Sequence, residues 1–397
     1  MERLKNGIKN GFKNNMKQYS MLIALVFIMI MFQILTNGIL LKPINVSRLI
    51  YQNSYVLILS IGMLLCILTG GNIDLSVGSI VAFVSALSAL FSVTFGLPVW
   101  VSIILGLLAG LLAGMWQGFW IAYVKIPPFI VTLAGMLLFR GINNIILNGK
   151  TVLLPELYTK ISSGVIPDVI GGGSGSHITT VLVGALAVVG YLLLSRVSRN
   201  DKIKFGFDVE SKASYYSRLI IISFVIMLFS YWLSLANGLP IILVILAVLI
   251  LFYAFLTQKT VVGRHIYAMG GNRKAAELSG IKTKKILFWV YANMGLLAAV
   301  AGIVFAGRLN SASPTAGDGF ELDAIAACFI GGASATGGVG TVMGAIIGGF
   351  IMGILNNGMS IMGISVFWQQ IVKGLVLLLA VAFDVYSKSK VKVKTAA

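Results

Sequence analysis

The sequence predicts an all-α, polytopic membrane protein with about twelve transmembrane segments. Hydrophobic residues make up 58% of the 397 positions and charged residues only 11%, a balance typical of chains that lie in lipid. Apolar windows of about 20 residues, the length that crosses a bilayer, recur along the chain. These windows lack the apolar–polar alternation of barrel strands, and a helix satisfies its own backbone groups in lipid.

Eleven of the windows are long enough to span a bilayer. They lie near 21–41, 49–69, 75–95, 98–124, 128–148, 178–195, 219–236, 239–257, 286–307, 341–358 and 364–383. A shorter apolar segment at 322–335 would extend only about 21 Å as a helix. We interpret this segment as a half-span or re-entrant piece, which brings the number of segments to twelve.

Lysine and arginine residues are unevenly distributed along the chain. Of the 30, 22 lie in four segments: 1–20, 196–218, 258–285 and 385–397. Because cytoplasmic loops carry an excess of these residues, we expect all four segments to be cytoplasmic, including both termini. The number of crossings is then even, and the transmembrane domain occupies 21–384. This distribution accounts for the net charge of +18 without a nucleic-acid partner.

A polar turn at 69–79 interrupts the apolar chain with a carboxylate, an amide, hydroxyls and three glycines. An acid such as Asp74 near lipid usually faces a cavity or partner helices. Its position two residues before Ser76, at the start of a helical run, also fits an N-cap. Both interpretations stay open, and Asn72, Asp74 and Ser76 are candidates for the lining of a translocation pathway or for its supports.

Two further glycine patterns predict close packing. The turn at 331–341 resembles the first, with Gly-Gly at the front and Val-Gly-hydroxyl at the back, which suggests the internal duplication found in many membrane proteins. Four glycines also recur every fourth residue and so share one helix face, the usual packing surface of membrane helices. A dimer interface or a moving contact is the alternative for these four: Gly106, Gly110, Gly114 and Gly118.

No catalytic or metal-binding cluster emerges from the sequence. Cys66 and Cys328 both lie in apolar segments, and His177 and His265 fall in loops on opposite sides of the predicted topology. We therefore expect neither an enzyme nor a metal protein.

Two basic residues interrupt predicted spans. Arg140 lies about seven residues from the end of its window, so we expect its side chain to reach the membrane interface. Lys373 lies deeper and is a candidate for a pathway or pairing role.

Several motifs resemble those of the ribose/xylose/galactose-type sugar ABC importer permeases. They are the runs at 70–79, 127–133, 263–280 and 367–374, in order over nearly the whole chain. The chain looks most like the longer xylose or multiple-monosaccharide permeases, with the extra length near 190–240. The resemblance implies a type II ABC importer fold in a bacterial plasma (inner) membrane and alternating access for a monosaccharide.

The resemblance also implies an assembly of two permease chains as a homodimer, a cytoplasmic ATPase with two nucleotide sites, and an extracytoplasmic sugar-binding protein. The sequence contains no Gly-x4-Gly-Lys-Ser/Thr phosphate loop. ATP and Mg are therefore expected on the ATPase, and no cofactor on this chain. A proton-coupled secondary transporter and an ABC permease for branched-chain amino acids remain the alternatives.

The polar run that begins at Gly263 contains a helix-prone piece, Lys274–Leu278, bounded by glycines. Such a short helix must dock on a partner or on anionic lipid headgroups. Its Ala-Ala-x3-Gly spacing resembles the permease motif that docks into ABC ATPases, although Lys274 stands where that motif usually has Glu. The resemblance implies an ATPase-coupling loop over about 263–285, with these residues: Gly270, Gly271, Asn272, Arg273, Lys274, Ala275, Ala276, Glu277 and Gly280. Gln369 and Gln370 are weaker pathway candidates beside Lys373.

Overall fold

The computed structural model describes residues 16–171, 176–207 and 209–396, and these residues are mostly helical. The Lys and Arg residues at positions 1–15, which the sequence predicts to be cytoplasmic, lie outside the described residues. The helices are α1 (Met16–Leu35), α2 (Pro43–Leu68), α3 (Val77–Ala89), α4 (Val99–Phe119), α5 (Pro128–Leu147), α6 (Glu156–Ser163), α7 (Ile178–Lys204), α8 (Lys212–Ser234), α9 (Ile241–Lys259), α10 (Val261–Gly271), α11 (Arg273–Leu278), α12 (Thr283–Leu309), α13 (Phe320–Ile330), α14 (Val342–Ile361) and α15 (Val366–Ala396). One π-helical turn extends α3 (Leu90–Thr94) and another extends α4 (Trp120–Val124).

The helices confirm the prediction of a polytopic membrane protein. Among the described residues, ten helices are long and apolar enough to cross a membrane, and α1 adds a shorter apolar stretch, Met21–Leu35. The window predicted at 21–41 is too long, because α1 gives way to a turn in which Asn37 adopts a left-handed conformation. The other windows of full length each coincide with one helix.

The chain divides into two compact units. The smaller contains Val165–Ile241 with Leu41–Arg48 and the stretch that ends at Ser20. Its main feature is the antiparallel pair α7 and α8, whose apolar side chains are largely exposed. The basic ends of this pair are held by Glu210, which forms an ion pair with Arg218 at 2.8 Å. This unit contains the segment 190–240, where the resemblance predicts the extra length.

The larger unit is organised around α12. Helix α12 packs most extensively against α4, and it also contacts α3 and α6. The glycine face of α4 makes this approach close: a Cβ on Gly110 would meet Ala299 and the Gly295 carbonyl oxygen, and one on Gly114 would meet the Tyr291 carbonyl oxygen.

The other two glycines of this face complete the packing. A Cβ on Gly118 would lie 2.7 Å from the Phe288 carbonyl oxygen of α12, whereas one on Gly106 would lie 3.3 Å from Val84 of α3. All four glycines therefore face helices of the same chain.

Two glycine-rich segments inside this unit, 69–76 and 331–341, are not helical. The first lies against the second, because a Cβ on Gly71 would touch the Ala335 carbonyl oxygen; Gly78, in the first turn of α3, likewise lies against the Gly317 carbonyl oxygen just before α13. Irregular backbone at membrane depth is tolerated where protein surrounds it. The two glycine-rich turns that resemble each other in sequence thus meet in space.

The predicted half-span has a shorter helix than its apolar composition indicates. Helix α13 covers only Phe320–Ile330, about 16 Å at 1.5 Å per residue, because Gly331 and Gly332 end it. The chain leading into α13 begins at β2 (Ser311–Ala312), which pairs antiparallel with β1 (Val152–Leu153). After α13, the chain contacts Leu68, the last residue of α2, through a hydrogen bond that Gly338 N donates to the Leu68 carbonyl oxygen. Helix α13 and the start of its extended continuation therefore correspond to the short apolar segment at 322–335.

Candidate functional site

The coupling segment, residues 263–285, contains the short helix predicted from the sequence. Helix α11 begins after Asn272, whose side-chain oxygen accepts a hydrogen bond from Ala275 N at 3.0 Å. It ends in a Schellman motif: Gly280 N donates to Glu277 O at 3.0 Å and Ile281 N donates to Ala276 O at 3.1 Å. Gly280 takes a φ of +83° there, which a glycine adopts without steric cost.

Glu277 ties α11 to the start of α12. Its Oε1 accepts a hydrogen bond from the Thr283 hydroxyl at 2.6 Å and lies 3.2 Å from Arg273 Nε. These two donors hold the pKa of Glu277 below its ordinary value. The carboxylate is therefore ionised at neutral pH, and both of its partners, Thr283 and Arg273, belong to the coupling segment itself. Lys274, by contrast, is exposed.

A groove of about 940 Å³ opens beside α11 and is strongly basic. Glu277 and Asn72 also lie in its wall, so one of the predicted pathway residues belongs to this groove. Asn72 donates a hydrogen bond to the Thr69 hydroxyl at 3.0 Å. The cations that line the groove are Lys125, Arg273, Lys274, Lys282, Lys284 and Lys285.

The coupling segment meets both non-helical segments at one point, which we call the glycine junction: Gly70, Gly71, Gly270, Gly337 and Gly338. Gly338 N donates to Leu68 O at 3.1 Å. A Cβ on Gly270 would collide with that same carbonyl oxygen and would lie 2.5 Å from Gly338 N. No side chain at position 270 fits at this distance, so the end of α10 is in direct contact with the backbone of Gly338 in the second turn and of Leu68, the residue before the first turn.

Asp74 and Ser76 lie together inside the larger unit, with 1% and 0% of their surface exposed. Asp74 Oδ1 accepts hydrogen bonds from the Ser76 backbone N at 2.9 Å and the Ser76 hydroxyl at 2.6 Å. Asp74 therefore binds Ser76, the residue before α3. An N-cap side chain would instead accept hydrogen bonds from the first helical amides of α3. The Ser76 hydroxyl accepts a further bond from Gln117 Nε2 at 2.5 Å. In the single chain, these residues support the turn from within.

Lys373 pairs with an acid on a neighbouring helix. Its Nζ lies 3.0 Å and 3.1 Å from the two carboxylate oxygens of Asp323, whose side chain is 4% exposed. This pair links α15 to α13. Asp323 lies in the first turn of α13 and Lys373 in the third turn of α15, and a buried charge without such a partner would be costly.

The remaining candidates lie elsewhere. Gln369 donates to the Ile364 carbonyl oxygen at 2.8 Å and so braces the turn between α14 and α15, while Gln370 is exposed. Arg140 was expected to reach the membrane interface, and that remains a prediction; its guanidinium pairs with Asp318 at 2.6 Å and donates to the Ala316 carbonyl oxygen. The six predicted pathway residues therefore do not form one cluster in the single chain.

Two partners were missed in the sequence, Gln117 and Asp323. Each is a polar side chain within an apolar segment, the same signal that drew attention to Asp74 and Lys373. Gln117 also precedes Gly118 on the glycine-bearing helix. The sequence does not show which residues pair, because Gln117 lies 41 residues from Ser76 and Asp323 lies 50 residues from Lys373.

Comparisons with known proteins show the family of this chain. The profile of the family described as branched-chain amino acid transport system / permease component matches residues 45–163 and 169–381. The xylose transport system permease protein of Haemophilus influenzae is 42% identical over 94% of this chain and 97% of its own length. The corresponding protein of Escherichia coli is 40% identical over 94% of this chain and 92% of its own.

A ribose import permease protein is also similar. The one from Bacillus subtilis is 36% identical over 90% of this chain and 90% of its own length. The search of solved structures found no match. The family profile covers both the glycine junction and the coupling segment, and the chain therefore belongs to this family of membrane permeases, together with the xylose and ribose permeases.

Proposed function

We propose that this chain is the permease subunit of an ATP-driven ABC importer that carries a monosaccharide across the bacterial plasma membrane by alternating access. The named relatives are xylose and ribose permeases, which supports a monosaccharide of that kind as substrate. The proposed partners are a second copy of the chain, a cytoplasmic ATPase that binds ATP and Mg at two sites, and an extracytoplasmic sugar-binding protein. Both termini are then cytoplasmic.

The observation that carries the mechanism is the glycine junction. Gly270 touches Leu68 and Gly338 without an intervening side chain, so a displacement of α10 and α11 must move the backbone of both turns. ATP binding in the partner would displace the coupling segment, and the turns would pass that displacement to α2, α3, α13 and α14. Asn72, Asp74 and Ser76, with Lys373, Gln369 and Gln370, remain the proposed pathway residues or their supports.

The energy source distinguishes this proposal from a secondary transporter. Proteoliposomes containing the permease, its ATPase and the binding protein should accumulate radiolabelled D-xylose or D-ribose only when ATP reaches the ATPase. A proton gradient should drive no uptake into vesicles that contain the permease alone. Uptake by the permease alone under a proton gradient would contradict the proposal, and a binding protein that selects leucine over pentoses would redirect it to branched-chain amino acids.

Gly270→Ala tests the junction itself. The added methyl group overpacks the backbone contact with Leu68, which costs about 1–3 kcal/mol, so we expect ATP-dependent uptake to fall about tenfold while ATP hydrolysis continues. Gly141→Ala is the control, because no atom lies within 4 Å of a Cβ at that position and the residue lies outside the coupling segment. Equal uptake by the two variants would show that the junction does not transmit the movement.

A further inference from the structure

A second cavity, of about 580 Å³, lies between α9, α10 and α12 beside the coupling segment. Much of its wall is apolar and includes Leu256, Val262, Ile286 and Trp289. Val262 and Trp289 leave 53% and 51% of their surface exposed. In a membrane protein such side chains are covered by another protein or by lipid acyl chains.

The rim of this cavity is basic. His265, Lys282 and Lys285 line it, and none of the described lining residues is acidic. This distinguishes the cavity from the neighbouring groove, where Glu277 lies among the cations. Basic pockets between membrane helices attract anionic lipid headgroups, with about 1 kcal/mol contributed by each Lys or Arg near the surface.

The polarity of the cavity changes with depth. The basic residues Lys282 and Lys285 lie at the first turn of α12, whereas Asn293 lies about 15 Å further along the helix at 1.5 Å per residue. The Tyr253 hydroxyl donates a hydrogen bond to Asn293, and this pair forms the deep end. Trp289 lies between the two levels. A cationic mouth above an apolar wall matches a lipid, whose charged headgroup and acyl chains follow the same order.

We propose that this cavity binds an anionic phospholipid, with the phosphate at Lys282, Lys285 and His265 and an acyl chain along Val262 and Trp289. Gly280, the residue that ends α11, also lines the cavity, so the bound lipid contacts the coupling segment. This inference goes beyond the proposed transport function, because it concerns the membrane around the chain and not its cargo.

The test measures lipid retention by the full chain alone. The protein is reconstituted in nanodiscs with equal amounts of phosphatidylglycerol and phosphatidylcholine, released, and examined by native mass spectrometry. The wild type should retain phosphatidylglycerol in preference. Lys282→Gln combined with Lys285→Gln should weaken that retention roughly thirtyfold, from the loss of two cations. Lys284→Gln is the matched control, because Lys284 lines the neighbouring groove and not this cavity.

Three results would overturn the proposal. One is equal retention of the two lipids by the wild type, which would also be the result if a partner protein normally fills the cavity. Another is a double variant that retains phosphatidylglycerol as well as the Lys284→Gln control does. The third is full displacement of the lipid by millimolar inorganic phosphate, which would assign the basic rim to free phosphate. Because no ATPase or sugar is present, none of these results bears on the transport function.

Discussion

The hydroxyl of Ser76 is shared by two polar side chains inside the larger unit. It donates to Asp74 and accepts from Gln117, which uses both capacities of a hydroxyl group. All three residues are buried, so each depends on the others in place of water. The turn before α3 is therefore connected to α4 by the hydrogen bond between Ser76 and Gln117, which are 41 residues apart in the sequence.

Ser76→Ala should therefore destabilise the fold. It removes a hydrogen bond from Asp74 and leaves Gln117 Nε2 without its partner, and we expect the free energy of unfolding to fall by about 1–3 kcal/mol. Unfolding by SDS titration in mixed micelles measures this. Ser79→Ala is the control, because the Ser79 hydroxyl is buried without a hydrogen-bond partner among the described residues. If both variants lose the same free energy, the Ser76 hydrogen bonds contribute no specific stability.

At the scale of elements, glycine decides how closely helices approach. The α4 face and the glycine junction use the same device, but with different partners: α4 lies against α12 along several turns, whereas the junction joins three chain segments at one point. In a membrane the hydrophobic effect does not drive helices together, because lipid tails are as apolar as the side chains. Membrane helices therefore associate through close packing of this kind.

Gly110→Leu should separate α4 from α12. A leucine there would intrude on Ala299 and the Gly295 carbonyl oxygen, and we expect a loss of about 3 kcal/mol or more in unfolding free energy. The same titration in mixed micelles reports it. Gly141→Leu provides the comparison, because a Cβ at Gly141 meets no atom within 4 Å. A Gly110 variant as stable as the Gly141 variant would contradict the close packing of these helices.

A second prediction at this scale concerns the ion pair between Lys373 in α15 and Asp323 in α13. Lys373→Met leaves a buried carboxylate unpaired, which should lower the unfolding free energy by about 3–5 kcal/mol. Adding Asp323→Leu should restore most of this loss, because an apolar pair replaces the ionic one. A double variant as unstable as the single one would mean that Lys373 acts through packing, and not through its charge on Asp323.

For the whole molecule, the position of the basic loops decides whether the coupling segment can meet an ATPase. Lys274 in α11 and Lys160 in α6 are predicted on opposite sides of the membrane. The chain from β2 through α13 and its extended continuation leads from the strand pair near α6 to the glycine junction at the end of α10.

Labelling of single cysteines tests that orientation. In whole cells, a membrane-impermeant maleimide should modify Lys160→Cys and should modify Lys274→Cys only after the membrane is permeabilised. The native Cys66 and Cys328 are 0% exposed, so the background should be low. Labelling of Lys274→Cys from outside would remove the ATPase from reach of the coupling segment.

The sequence by itself determined the fold class, the positions of nearly all spans, the short helix of the coupling segment and the family resemblance. These depend on local properties: apolar run length, charge, and glycine or cap residues at helix ends. Only the tertiary structure decided that the two glycine-rich turns meet at Gly270, that Asp74 is held with Gln117, and that Lys373 pairs with Asp323. Such contacts join residues far apart in the chain, and their geometry depends on helix packing that no local pattern specifies.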